Sequence, residues 1–142
     1  MKAFTVLASL VLLGCSGLGP NYMVNLHSQL GEQKEMTVRF DGELVCSSRV
    51  SRGTHVGCGP VSSIPREATV TWAVPFEWRT PDKDRHLSGA ALSANVPAWF
   101  TTGDAVVFTI TENQELNVFF ECHRMNTSCV GVSPIQVPSY KQ

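Results

Sequence analysis

The stretch Met36-Thr37-Val38-Arg39-Phe40-Asp41-Gly42-Glu43-Leu44-Val45-Cys46 decides the fold class. Asp-Gly separates two β-prone runs. A two-residue type I′ turn needs positive φ at both central positions, and Asp followed by Gly meets that need at little steric cost. The stretch therefore predicts a tight antiparallel hairpin of 36–40 with 43–46. Working outward, the same period of two recurs. Tyr22 to His27 puts Tyr22, Val24 and Leu26 on one face and Met23, Asn25 and His27 on the other. Ala68 to Val74 sets Val70, Trp72 and Val74 against Thr69, Thr71 and Ala73. Ala105 to Thr111 and Glu115 to Cys122 flank the turn Glu112-Asn113-Gln114 and form a second hairpin, with Val106, Phe108, Ile110, Leu116, Val118 and Phe120 facing inward.

Between these runs the pattern breaks. Residues 28–35 are polar and read as a loop. Residues 47–65, rich in Ser, Gly and Pro, read as an irregular loop. Asp82-Lys83-Asp84-Arg85 are four consecutive charges, the signature of a solvated loop. Residues 87–95 suit a weak strand or one helical turn. Val96 to Phe100 is short and aromatic, and the tail from Asn126 carries two prolines and is expected to lie against the surface. About seven short strands with regular turn signals and no long helix imply an all-β sandwich or barrel. Of the two, the expectation is an antiparallel β-sandwich of about seven short strands with two clear hairpins.

The N-terminus is an address. Lys2 precedes an uncharged apolar run from Ala3 to Leu13, the pattern of a secretory signal. That run falls short of the roughly 20 apolar residues that span a bilayer. Leu12-Leu13-Gly14-Cys15 resembles a bacterial lipobox, which implies cleavage before Cys15 and lipidation of its thiol. The competing reading is an ordinary signal with an incidental cysteine. The expected organisation is a lipoprotein signal peptide at 1–14, a lipidated tether at 15–21 and a single β-sandwich domain at 22–142. Seven tether residues reach at most about 25 Å, so the domain would sit close to its membrane. Ser16, rather than aspartate, after the cysteine favours the outer membrane, facing the periplasm.

Cleavage would leave 128 of the 142 residues and a formal charge of −2, since Lys2 is the only charged residue lost. A near-neutral chain without a basic run gives no support for nucleic-acid binding. Membrane attachment would rest on the N-terminal lipid alone. The other four cysteines, Cys46, Cys58, Cys122 and Cys129, make an even number in an exported chain and read as disulfides. Spacing favours the local pairs Cys46–Cys58 and Cys122–Cys129, with crossed pairs the alternative. Zinc is the competing use, but there is no C-x-x-C and no histidine at ligand spacing, so no metal or other cofactor is expected.

Catalysis needs a nucleophile or metal with a base in reach. The chain lacks G-x-S-x-G, H-E-x-x-H, the phosphate-binding P-loop and G-x-G-x-x-G. His27, His55, His86 and His123 are scattered in sequence, and the carboxylates are dispersed. No enzyme activity and no catalytic residues are expected. Asn126-Thr127-Ser128 is a glycosylation sequon, relevant only to a eukaryotic source.

Binding is what remains. Phe76, Trp78 and Arg79 stand beside Asp82, Lys83, Asp84 and Arg85, and Trp and Arg dominate interface hot spots. The competing reading has Trp78 capping one end of the sandwich while the charges solvate a loop. A second candidate is the loop around Arg49, Arg52 and His55, which a disulfide would preorganise. Trp99, between Pro97 and Phe100, fits the core better.

In order along the chain, the lipobox, the Val38-Arg39-Phe40-Asp41-Gly42 hairpin, Cys58-Gly59-Pro60-Val61, Pro65 leading into Val70-Thr71-Trp72, and Val96-Pro97-Ala98-Trp99 resemble a family of small bacterial lipoproteins encoded beside phospholipase effectors of type VI secretion systems. The family's usual adjacent cysteine pair is here Cys58 followed by Gly59, so its disulfide scheme does not carry over. The resemblance implies an immunity protein, which binds a secreted lipase arriving in the periplasm and blocks its active site. The other readings are a structural or assembly lipoprotein of an envelope complex, and a lysozyme-type or small-ligand inhibitor module.

Overall fold

A computed structural model describes residues 21–75 and 83–137. The signal at 1–14, Cys15 with nearly all of the tether, and the candidates Phe76, Trp78, Arg79 and Asp82 lie outside the described residues. The described elements run in the order β1 (Tyr22–Ser28), β2 (Lys34–Phe40), β3 (Glu43–Val50), β4 (His55–Val61), β5 (Glu67–Ala73), β6 (Lys83–Ser88), α1 (Gly89–Ser93), β7 (Ala105–Ile110), β8 (Leu116–Glu121) and β9 (Ile135–Gln136). They build two packed sheets, one of order β4-β1-β7-β8-β9 and one of order β3-β2-β5-β6. The all-β sandwich expected from the alternating runs is the observed architecture.

The opening hairpin forms as the Asp-Gly pair requires. Asp41 and Gly42 both have positive φ, 52° and 84°, and β2 pairs antiparallel with β3. The Asp41 carboxylate also accepts hydrogen bonds from the backbone N–H groups of Arg66 (3.0 Å) and Glu67 (3.0 Å), which ties the turn to the start of β5. Opposite Val38 and Arg39, the partners are Cys46 and Leu44, so Val45 is an extra residue on β3. Such a bulge bends the strand and sharpens its twist. The second hairpin, β7 with β8, pairs in the register its apolar faces demand, from Ala105↔Glu121 to Ile110↔Leu116.

The inward faces interdigitate into one core. Tyr22, Leu26, Met36, Trp72, Phe108 and Phe120 are fully buried, and Phe100 packs edge-on against Phe120 at a centroid distance of 5.3 Å. A fully buried side chain of this size contributes about 1.5–3 kcal/mol relative to its exposed state. The Tyr22 hydroxyl donates to the Ser63 carbonyl at 2.8 Å, and burial pushes its phenol pKa up. Cys46–Cys58 and Cys122–Cys129 are the two disulfides, the local pairs that spacing favoured. The first joins β3 to β4, one edge of each sheet, and so staples the sandwich along one side.

Three readings need correction, and one is refined. Residues 47–65 are not all loop: β3 continues to Val50, and His55–Val61 is a strand. Its sequence, His-Val-Gly-Cys-Gly-Pro-Val, has poor strand propensity, but β1 supplies the partner edge and the disulfide holds it there. As an edge strand β4 tolerates Pro60. Lys83, Asp84 and Arg85 open the edge strand β6 rather than a solvated loop. Their charges sit on a sheet edge, where charge discourages pairing with other chains. Residues 87–95 divide between the end of β6 and the single turn α1, whose start is capped by the Ser88 hydroxyl accepting from the Ala91 N–H at 3.1 Å. Gly89 is required there, because a Cβ would come within 1.8 Å of the Pro65 carbonyl oxygen. Finally, the tail does more than cover the surface: β9 adds to β8, and Val137 is buried. The strand pairing is antiparallel throughout except for β1 with β7, which run parallel.

Candidate functional site: a groove on the outer face of the five-stranded sheet

Alternation along β1, β7 and β8 sends one set of side chains into the core and the other to the outer surface. Register lines the outward set up in rows across the sheet. His55, His27, Thr109 and Asn117 form one row; Gly57, Asn25, Val107 and Phe119 form the next; Ala105 and Glu121 lie in a third with Met23. The result is a groove of about 210 Å³ walled by His27, His55, Val107, Phe119, Glu121 and Pro134, with Asn25, Gln29 and Thr109 completing it. The central strand β7 is buried along its whole length although only one of its faces meets the core. Neighbouring side chains shelter Val107 and Thr109 at the bottom of the groove. A second concavity of about 270 Å³ continues along the strands past Met23 and Ala105 to Cys122, His123 and Arg124, sharing Asn25 and Glu121 with the first.

His27 and His55 face each other across β1 and β4, and their rings stack at a centroid distance of 4.7 Å and an interplanar angle of 14°. Burial and the adjacent His55 ring hold the His27 pKa below its usual value, while the Glu121 carboxylate opposes that shift. Among the described residues, the Asn25 and Thr109 side chains, both imidazoles and the Glu121 carboxylate make no hydrogen bond or ion pair within the chain. They converge on an apolar floor with their bonding capacity unspent.

The groove is bordered by a preorganised segment. The Asp104 carboxylate is fully buried and accepts hydrogen bonds from the N–H groups of Thr101 (2.8 Å) and His123 (2.7 Å) and from the Asn126 amide (2.7 Å). The Asn126 amide also donates to the Trp99 carbonyl at 3.0 Å, so the sequon asparagine is engaged inside the structure. Together with Cys122–Cys129 this network pins residues 122–129. The same stretch and its continuation carry Met125, Val130, Val132 and Ile135, which are 75%, 64%, 45% and 38% exposed. The other large apolar side chains exposed among the described residues are Leu44 and Val74. Met125 lies within the pinned segment, and Val130, Val132 and Ile135 follow it in the chain.

Asp104, Cys122 and Cys129 are the trio of potential ligands brought within 4.8 Å of one another among the described residues. The two sulfurs are bonded to each other, and the carboxylate already accepts three hydrogen bonds. These donors do not suit a metal ion.

Of the residues singled out from sequence, Lys83, Asp84 and Arg85 lie on β6, at an edge of the four-stranded sheet, and do not line the groove. Arg85 points toward the β7–β8 turn and meets Glu115 at 3.6 Å, a link between the sheets. His86 lies on the outer face between Glu67 and Asp84, 3.5 Å from each. Of the four histidines, His27 and His55 are brought together although 28 positions apart in sequence. The assignment of Met23, Asn25 and His27 to the non-core face of β1 and the choice of the His55 region as a second binding candidate foreshadowed parts of this groove. His55 fell in a presumed loop, so no sequence signal placed it beside His27.

No protein-family model and no curated protein matches the chain.

Proposed function

We propose that this chain is a lipid-anchored envelope protein that acts by stoichiometric binding of a protein partner, with the outer face of the five-stranded sheet as its binding surface. The observation that carries the reading is the groove itself. Polar groups with unspent bonding capacity surround an apolar floor, beside a disulfide-braced segment that bears exposed Met125 and continues into exposed Val130 and Val132. A preorganised surface loses little conformational entropy on binding, which favours affinity. The family resemblance supplies the partner class: a secreted phospholipase effector that the chain neutralises as an immunity protein. The Cys15 lipid and a short tether would hold the binder where a periplasmic lipase attacks.

The test is protection. Cells producing the neighbouring lipase in the periplasm are expected to survive when they also make the full chain. They are expected to survive less well when Cys15→Ser removes palmitate labelling. Growth arrest regardless of the chain would sink the immunity reading, and copurification with cell-wall or secretion machinery in cells without such a toxin would favour an assembly lipoprotein. Alanine at both Trp78 and Arg79, set beside Phe119→Ala, separates the sequence-derived candidate from the groove.

A further inference from the structure

The geometry points to the occupant of the groove: we infer that the pocket between the His27–His55 stack and Glu121 receives an arginine side chain presented by a polypeptide partner. The inference rests on reading this face as a partner-binding surface and adds the chemistry of what enters it.

The walls select for shape. Phe119 and the two stacked imidazoles offer flat faces, and Val107, in the same row as Phe119, supplies an apolar floor. A planar guanidinium stacks on such faces, and its three-carbon stem packs along apolar surface with the charge kept at the tip. The acceptors select for charge. Glu121 closes the other end of the pocket, and among the described residues its carboxylate has neither a hydrogen-bond donor nor an ion-pair partner. Arg124, in the adjoining concavity, does not pair with it. The Asn25 and Thr109 side-chain oxygens line the same space and accept the remaining N–H groups of a fork that carries five donors.

Two rival occupants fit less well. A carboxylate would meet Glu121, and burial with the adjacent His55 ring favours the neutral form of His27, which does not attract it. A transition metal needs in-plane nitrogen lone pairs that converge on one point, whereas rings stacked at 14° direct theirs side by side. His27, His55 and Glu121 also do not form a trio of ligand atoms within 4.8 Å. The exposed Met125, Val130 and Val132 nearby argue for a polypeptide source rather than a free small cation.

The test is a titration of the isotope-labelled full chain, solubilised in detergent, with acetyl-Ala-Arg-Ala-amide and its lysine, citrulline and glutamate counterparts, followed by amide chemical shifts. The arginine peptide is expected to saturate with a Kd of about 1–10 mM, moving the amides of Asn25, Val107, Thr109, Phe119 and Glu121. Citrulline, of the same shape but neutral, is expected to bind at least about tenfold more weakly, as is the arginine peptide to Glu121→Gln. Because the citrulline comparison uses the unaltered chain, it stands even where a variant misfolds. Equal binding of the lysine peptide, tighter binding of the glutamate peptide, shifts confined to another surface, or a binding isotherm still without curvature at about 20 mM would each overturn the inference. The two readings fail separately. Arginine binding without protection keeps the pocket and changes the partner class, whereas protection by a chain that ignores arginine peptides removes the pocket assignment alone.

Discussion

The two sheets turn very different outer faces to solvent. On the four-stranded sheet the outward residues of β2, β3, β5 and β6 are, apart from Leu44 and Ala73, Thr, Ser, His and charged side chains, several of which meet one another: Thr37 with Ser47 at 3.0 Å, and His86 with Glu67, Asp84 and Thr69 at 3.5 Å each. On the five-stranded sheet the equivalent positions hold Val107, Phe119, two glycines and polar groups without hydrogen-bond or ion-pair partners among the described residues. Both faces obey the same alternation, so the difference comes from residue choice at positions that do not decide the fold. Polar groups that satisfy one another leave little for a ligand, whereas open ones over an apolar floor invite it.

The strongest way to break this contrast is to dismantle the scaffold under the groove face alone. Asp104→Ala orphans three buried or part-buried donors, and a loss of about 3–5 kcal/mol is expected in chemical denaturation. Amide exchange should accelerate first at His123 and Asn126, and uniform acceleration across β2 and β5 would argue against a local role. Replacing Cys46 and Cys58 together by serine is expected to cost about 2–4 kcal/mol, because the loop they close no longer restricts the unfolded chain. That change touches both faces equally and calibrates the first.

Phe119→Ala sharpens the comparison more directly. It is expected to weaken partner binding about tenfold or more, as truncation of an anchor in an interface centre does. Thr37→Ala, its counterpart on the other sheet, is expected to leave binding unchanged and stability within about 0.5 kcal/mol. Equal effects of the two on affinity would remove the distinction between the faces.

The smallest expected effect is a pH dependence. His27 has a folded pKa below its unfolded value near 6.5, so over the range between the two the unfolded chain binds more protons. Its contribution to stability is therefore complete above pH 6.5 and falls as pH drops from there toward the folded pKa. His55→Gln removes one of the two causes of the shift, so the decline in denaturation midpoint on acidification should become shallower. The groups facing His27 in this range are His55 on β4 and Glu121 on β8; the latter acts in the opposite sense. An unchanged slope would mean that the two rings do not interact in solution.

Much of the architecture could be read from residues alone. Asp41-Gly42 specified a hairpin, because few residue pairs tolerate two positive φ angles in succession. Alternation in β1, β5, β7 and β8 named the core side of each strand, and spacing favoured the observed disulfides. Of the three strands that escaped notice, β9 is only two residues long, and the other two were missed for different reasons. β4 carries two glycines and a proline and exists because β1 and Cys46 hold it. β6 opens on three charges and exists because β5 offers an edge. Local propensity is silent on both, since each is stabilised by a partner distant in sequence.

The sequence by itself determined the class of fold and the faces of its clearest strands, and it favoured the local disulfide pairing over the crossed one. Those follow from φ preferences, a period of two and short loop closure, all of which are local. Only the tertiary structure decided that β1 lies between β4 and β7, one neighbour antiparallel and the other parallel. That single placement brings His27 beside His55, sets both over Val107 and Phe119, and leaves Glu121 facing the same groove. The arrangement depends on register between strands far apart in the chain, a non-local property that strand periodicity does not contain.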